Sequence, residues 1–147
     1  MRAILIDPER RSITEIQIDG SIESICAALG CESFEGHPWL NGSLETGGDT
    51  IYGDAYGLFT EPPPRYFFQV DVDPPGPAAT ISACPGKGLV VGVDREGGGC
   101  DARISVAELT ARIAFTRRVF RGVKTSSRPG VFIVELDAPI VDGTTKD

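Results

Sequence analysis

Short apolar runs separated by glycine and proline govern what this chain can fold into. The 18 glycines and 11 prolines among its 147 residues favour short elements and many turns over a bundle of long helices. The order "RAILI", "DPER", "SITEIQI" predicts a β-hairpin: Asp7 suits the first position of a type I turn and Pro8 the second, with β-branched residues on either side. Thr14, Ile16 and Ile18 fall on one face, and Ile13, Glu15 and Gln17 on the other, the pattern of a half-buried strand.

A short helix is predicted next. Ser21 is its N-cap, Ile22, Ile25, Cys26 and Leu29 form its apolar stripe, and Gly30 supplies a left-handed stop. Short strands are expected around "TIYGD" and "YGLFT", with "NGSLETGGD" as a glycine-rich connection. "YFFQVDV" is a strong strand candidate bracketed by the proline clusters "EPPPR" and "DPPGP", which read as surface loops. A second helix follows "GGGCDARI", with Ser105 and Glu108 as a capping box and Val106, Leu109 and Ile113 as its stripe. "FTRRVF" and "VFIVEL" read as strands, and "DGTTKD" as a frayed tail. A chain of this length buries a core without disulfides or metal. The expectation is one α+β domain over residues 1 to 141, a mainly antiparallel sheet packed by two short helices, with residues 142 to 147 as a flexible tail.

The sequence "PGKGLVVG" resembles a phosphate loop but has the wrong order. Such a loop opens a helix and places Ser or Thr after its Lys. Here Gly86, Lys87 and Gly88 lead into β-branched residues, so a turn feeding a central strand is expected. Catalytic residues are scarce. His37 is the only histidine, in a loop before Pro38 and Trp39. Cys26, Cys31, Cys84 and Cys100 form no CxxC pair, and Cys26 lies on the helical stripe, so reduced thiols without zinc are expected. Neither a signal-peptide core nor an apolar run long enough to span a bilayer is evident, and the chain reads as soluble and cytoplasmic. No cofactor or metal is predicted, and an enzyme of unrecognised type, which would depend on His37, is a third alternative behind two non-catalytic readings.

Charge is distributed unevenly about a net of −7. Between Arg11 and Arg65 there is no Lys or Arg, while Glu32, Glu35, Glu45, Asp49 and Asp54 belong to a run of acids. Between Leu109 and Val134 the reverse holds: Arg112, Arg117, Arg118, Arg121, Lys124 and Arg128 occur without an acid. The acidic stretch either keeps the protein in solution or presents a phosphate-like surface to a basic, nucleic-acid-handling protein. The basic stretch, with Lys87, offers an alternative site for nucleic acid or a small anion, with Phe115 and Phe120 as stacking groups. Against that, Phe115, Val119 and Val123 alternate like a core face, and the basic stretch could also pair with the acidic half or with a second subunit.

Four segments carry a resemblance in order: "MRAILIDPERRSITEIQIDGSIESICAALGC", "GDTIYGDAYGL", "GKGLVVGVDREGG" and "SVAELTARIAF". They are similar to the uncharacterised bacterial, plasmid and phage family called domain of unknown function 3846. The likeness covers most of residues 1 to 116, departs from the family pattern over 62 to 83, and ends near Arg117. It implies a strand–turn–strand–helix opening and a capped helix after the "GKG" turn. No catalytic residue comes with it. Occurrence of the family on mobile elements implies a role in host–element conflict or maintenance, such as inhibition of a host defence complex through protein binding.

Overall fold

The computed structural model describes residues 1–36, 39–60, 62–71, 80–117, 120–125, 132–136 and 140–141, with side chains described except at 80–83 and from 120 onward. In chain order the strands are β1 (Arg2–Asp7), β2 (Ser12–Gln17), β3 (Phe34–Gly36), β4 (Asn41–Ser43), β5 (Gly47–Asp54), β6 (Tyr66–Asp71), β7 (Thr80–Pro85), β8 (Gly88–Val93), β9 (Gly99–Cys100), β10 (Ile113–Arg117), β11 (Phe120–Thr125), β12 (Phe132–Leu136) and β13 (Ile140–Val141). Helix α1 (Ile22–Leu29) joins β2 to β3, and α2 (Val106–Arg112) precedes β10. Among the described residues every strand pair is antiparallel. The larger sheet runs β2-β1-β8-β5-β3, with β4 added to β5 and β9 to β8. A second sheet runs β13-β10-β6-β7, and β11 with β12 makes a two-stranded ribbon. The fold is α+β.

The larger sheet is covered on both faces, which explains why "RAILI" and "GLVVGV" are almost continuously apolar. Register places Val90 opposite Ile4 on one side and Ile51 on the other, and these three pack with Phe68, Val70 and Phe115 of the second sheet and Leu109 of α2. One residue along, Leu89 lies between Leu5 and Tyr52, and this opposite face packs against Ile25 and Leu29 of α1. Phe34 adds an aromatic contact there, its ring 4.9 Å from that of Tyr52.

The caps follow the sequence. Ser21 Oγ accepts the Ser24 N–H at 3.1 Å, and Gly30 closes α1 at φ 68°. Ser105 Oγ accepts the Glu108 N–H at 3.0 Å. Four expectations are corrected. Ile22 is 67% exposed: at the first position of α1 it lies outside the stripe that reaches the sheet, and Cys26 is only half-buried. Ile113 is extended and opens β10, because pairing with Val70 displaces a further helical turn. "YGLFT" is not a strand: Asp54 Oδ1 accepts the Tyr56 N–H at 2.9 Å, and Gly57–Phe59 coil into a 3-10 turn. "NGSLETGGD" is a hairpin, since Asn41–Ser43 pairs with Gly47–Asp49.

Candidate functional site

Three cavities adjoin at the end of the larger sheet where β1 and β5 finish and β8 begins. Each wall has a local cause. In the β1–β2 turn, Asp7 Oδ1 accepts the N–H groups of Glu9 at 3.1 Å and Arg10 at 3.2 Å, so the proline turn is held by its own carboxylate. Between β7 and β8, Gly86 takes φ 69°, a conformation that favours glycine, and its N–H donates to the Tyr66 carbonyl at 3.0 Å. The "GKG" segment is therefore a strand-to-strand turn, not the start of a helix. Past β5, the Ala55 N–H donates to the Ser33 carbonyl at 3.0 Å, fastening the 3-10 turn to the connection after α1.

Gly88 is paired with Ile6 on one side and Gly53 on the other. One residue outward, the register sets Lys87 between Asp7 and Asp54, and all three line a cavity of about 210 Å³ with Arg65, Tyr66 and Pro85. A second cavity, of about 150 Å³, shares Pro8, Glu9 and Tyr66 with the first and adds Arg11 and Arg117. A third, of about 190 Å³, shares Asp54, Gly57 and Pro85 and adds Glu35 and Leu58. Beside it stand Tyr56 and Phe59, 65% and 58% exposed.

The acidic residues singled out in the sequence therefore separate. Glu35 and Asp54 both line the third cavity, although the register, Phe34 opposite Asp54 and Glu35 opposite Gly53, starts their side chains from opposite faces of the sheet. Glu32 is exposed in the connection just before β3. Glu45 is exposed in the β4–β5 turn, at the opposite end of β5, roughly 23 Å away at about 3.3 Å per residue. Asp49 is no surface group at all. It is fully buried, and its carboxylate accepts the N–H of Arg103 at 2.7 Å, the N–H of Ile104 at 2.9 Å and Asn41 Nδ2 at 2.9 Å. Its role is to satisfy backbone donors ahead of α2.

The basic residues also divide. Lys87 and Arg117 are exposed and line adjoining cavities. Arg112 is half-buried in the last turn of α2, and its Nη1 is buried without a hydrogen-bond partner among the described residues. Arg121 and Lys124 fall on β11, whose side chains lie outside the described residues, as do Arg118, Arg128, His37 and Val119 entirely. Phe115 is 8% exposed in the core, so it cannot stack on a base. Its register partner Phe68 is buried with it.

Sequence reading missed Tyr56, Phe59, Arg65 and Glu9 as groove residues. The signal for the first two was present in "DAYG", where an aspartate two residues before an aromatic and three before a glycine favours a turn over a strand.

Two of the thiols are held in their protonated form. Burial first, and then the neighbouring Asp54 carboxylate, push the Cys31 thiol up to about 11, and burial pushes Cys84 to about 12. Among the described residues no group of three or more His, Cys, Asp or Glu side chains is placed to hold a metal ion, and no helix is long and apolar enough to cross a membrane. The groove presents exposed aromatic rings, carboxylates and the four cations Arg11, Arg65, Lys87 and Arg117 on a frame of paired strand ends. Comparison of the chain with protein-family models, curated proteins and solved structures found no match.

Proposed function

We propose that this is a non-catalytic, cytoplasmic binding protein of a phage or plasmid, which acts by docking on a basic, nucleic-acid-handling host protein and inhibiting a defence complex. The observation that carries the reading is the pair Tyr56 and Phe59, large aromatic side chains more than half exposed beside a cavity edged by Glu35 and Asp54. Aromatic side chains are enriched where binding energy concentrates, because they bury much apolar area with few rotors. Carboxylates beside them select a cationic partner and accelerate its approach. The net charge of −7 adds a long-range attraction of the same sign. The biological setting rests on the likeness read in the sequence, over most of residues 1 to 116 and departing at 62 to 83, to a family carried by mobile elements.

The test is capture of host proteins by the tagged chain and by the double variant Tyr56→Ser/Phe59→Ser, read by mass spectrometry at low and high salt. A basic protein recovered in stoichiometric amount by the natural chain, and lost with the double variant while its thermal midpoint is kept, is the expected result. Equal recovery by both proteins would overturn the assignment of the surface. Recovery of nucleic acid alone, released by salt, would favour the Lys87 and Arg117 side of the groove instead.

A further inference from the structure

The cavity of about 210 Å³ is lined by charges of both signs, Glu9 and Asp54 with Arg65 and Lys87, beside Asp7. Lys87 lies in register between Asp7 and Asp54, yet neither it nor Arg65 makes an ion pair among the described residues, whose two ion pairs are Arg2 with Glu15 and Arg10 with Asp7. Asp7 is occupied by the turn: one oxygen accepts two backbone N–H groups, the other faces Arg10, and the residue is 7% exposed. Asp54 uses one oxygen on the Tyr56 N–H. Glu9 is exposed, and its carboxylate has no hydrogen bond among the described residues. Behind these groups the wall is apolar and stiff, formed by Pro64 and Pro85 with the buried Leu29 at the end of α1.

A purely anionic ligand would satisfy Lys87 and Arg65 but face Glu9 and Asp54, and a purely cationic one would do the converse. Only a ligand with both charges matches both pairs, and like-charge juxtaposition is costly enough to exclude the others. The volume lies below the about 300–1,000 Å³ of sites for drug-sized molecules, so the occupant is compact. We infer that this cavity binds a free α-amino acid with an apolar side chain. Lys87 and Arg65 hold its carboxylate, Glu9 and Asp54 its ammonium group, and the proline wall its side chain. The site shares Asp54 with the proposed partner surface, but Lys87, Arg65 and Glu9 line this cavity and not the one bearing Glu35 and Phe59, so variants at Lys87 and Glu9 test the ligand site separately.

Isothermal titration calorimetry of the full chain tests this with three probes of one skeleton: L-leucine, its decarboxylated form 3-methylbutylamine, and its deaminated form 4-methylpentanoate. L-Phenylalanine with its own amine and acid gives a second series. Saturable binding of at least one amino acid is expected, at least tenfold tighter than of its amine or its acid. Lys87→Met and Glu9→Gln should each weaken that binding about tenfold without moving the thermal midpoint, since both side chains are exposed. The Glu35→Lys variant should bind the amino acid as the natural chain does. The inference is overturned if neither amino acid binds at millimolar concentration, if either analogue binds as tightly, or if Lys87→Met leaves affinity unchanged.

Discussion

The carboxylate of Asp49, on β5, accepts the backbone N–H of Ile104 at 2.9 Å across 55 residues of chain. The same segment is gripped from the other side by Arg2, whose guanidinium donates to the carbonyls of Ala102 and Ile104 while its Nε pairs with Glu15 at 2.7 Å. Donors of the stretch leading into α2 go to Asp49 and acceptors go to Arg2, so an irregular segment crosses the sheet without stranded polar groups. Replacing Asp49 by Ala leaves the N–H groups of Arg103 and Ile104 unpaired in a buried place. The expected loss is about 3 kcal/mol, at roughly 1–3 kcal/mol for each unsatisfied group, read from the midpoint of urea unfolding. Glu45→Ala, at an exposed turn, should change it by less than about 0.5 kcal/mol.

Gly88 sets how closely the two sheets approach. A Cβ there would lie 2.6 Å from Phe68 Cζ and 3.3 Å from Ile51 Cγ2, and both neighbours are buried. Gly88→Ala should therefore cost about 1–3 kcal/mol through overpacking, whereas Gly97→Ala, whose added Cβ would meet no atom within 4 Å, should cost only the strain of its positive φ. Thermal unfolding of the two variants measures the difference.

Asp19 couples the entry of α1 to pH. Hydrogen bonds from the Ser21 hydroxyl and then the Ser21 amide hold its carboxyl at about 2, below the ordinary 3.8. Because the folded value is depressed, the stabilisation is present above about 3.8 and is lost as pH falls through about 2. Exchange protection of the Ser24 amide, measured over that interval, should fall in the natural chain, and Asp19→Asn should remove that pH dependence.

Thiol reactivity reports on the groove. With Cys31 raised from 9.0 to about 11, the folded protein should carry roughly 100-fold less Cys31 thiolate than the unfolded chain at pH 8. Iodoacetamide labelling followed by peptide mapping should show slow reaction at Cys31 and none at buried Cys84 until denaturant is added. Since the Asp54 carboxylate contributes to the rise, Asp54→Asn should speed labelling of Cys31; an unchanged rate would separate the two residues.

Much of the architecture is legible in short-range chemistry. The Asp7-Pro8 turn, the Ser21 and Ser105 caps, the Gly30 stop and the strand after Lys87 each depend on residues within a few positions of one another, and each is found where expected. What sequence could not supply was pairing between distant segments. Ile113 fits a helical stripe by spacing, but its partner Val70 makes it a strand residue. Asp49 reads as one more acid in an acidic run until Ile104 is brought beneath it. The candidate site shows the same limit. Glu35 and Asp54 are 19 positions apart and line one cavity only because β3 pairs with β5, and Lys87 joins Asp54 only because β8 lies between β1 and β5.

We propose that a basic protein docks on the face bearing Glu35, Tyr56 and Phe59. The most direct measurement is a side-by-side capture from host extract by the natural chain and by Glu35→Lys at low salt, with the recovered proteins quantified. Expected are a stoichiometric, basic nucleic-acid-handling protein with the natural chain and at least a tenfold loss with the variant. Equal capture by both, or recovery of no protein in stoichiometric amount, would contradict it.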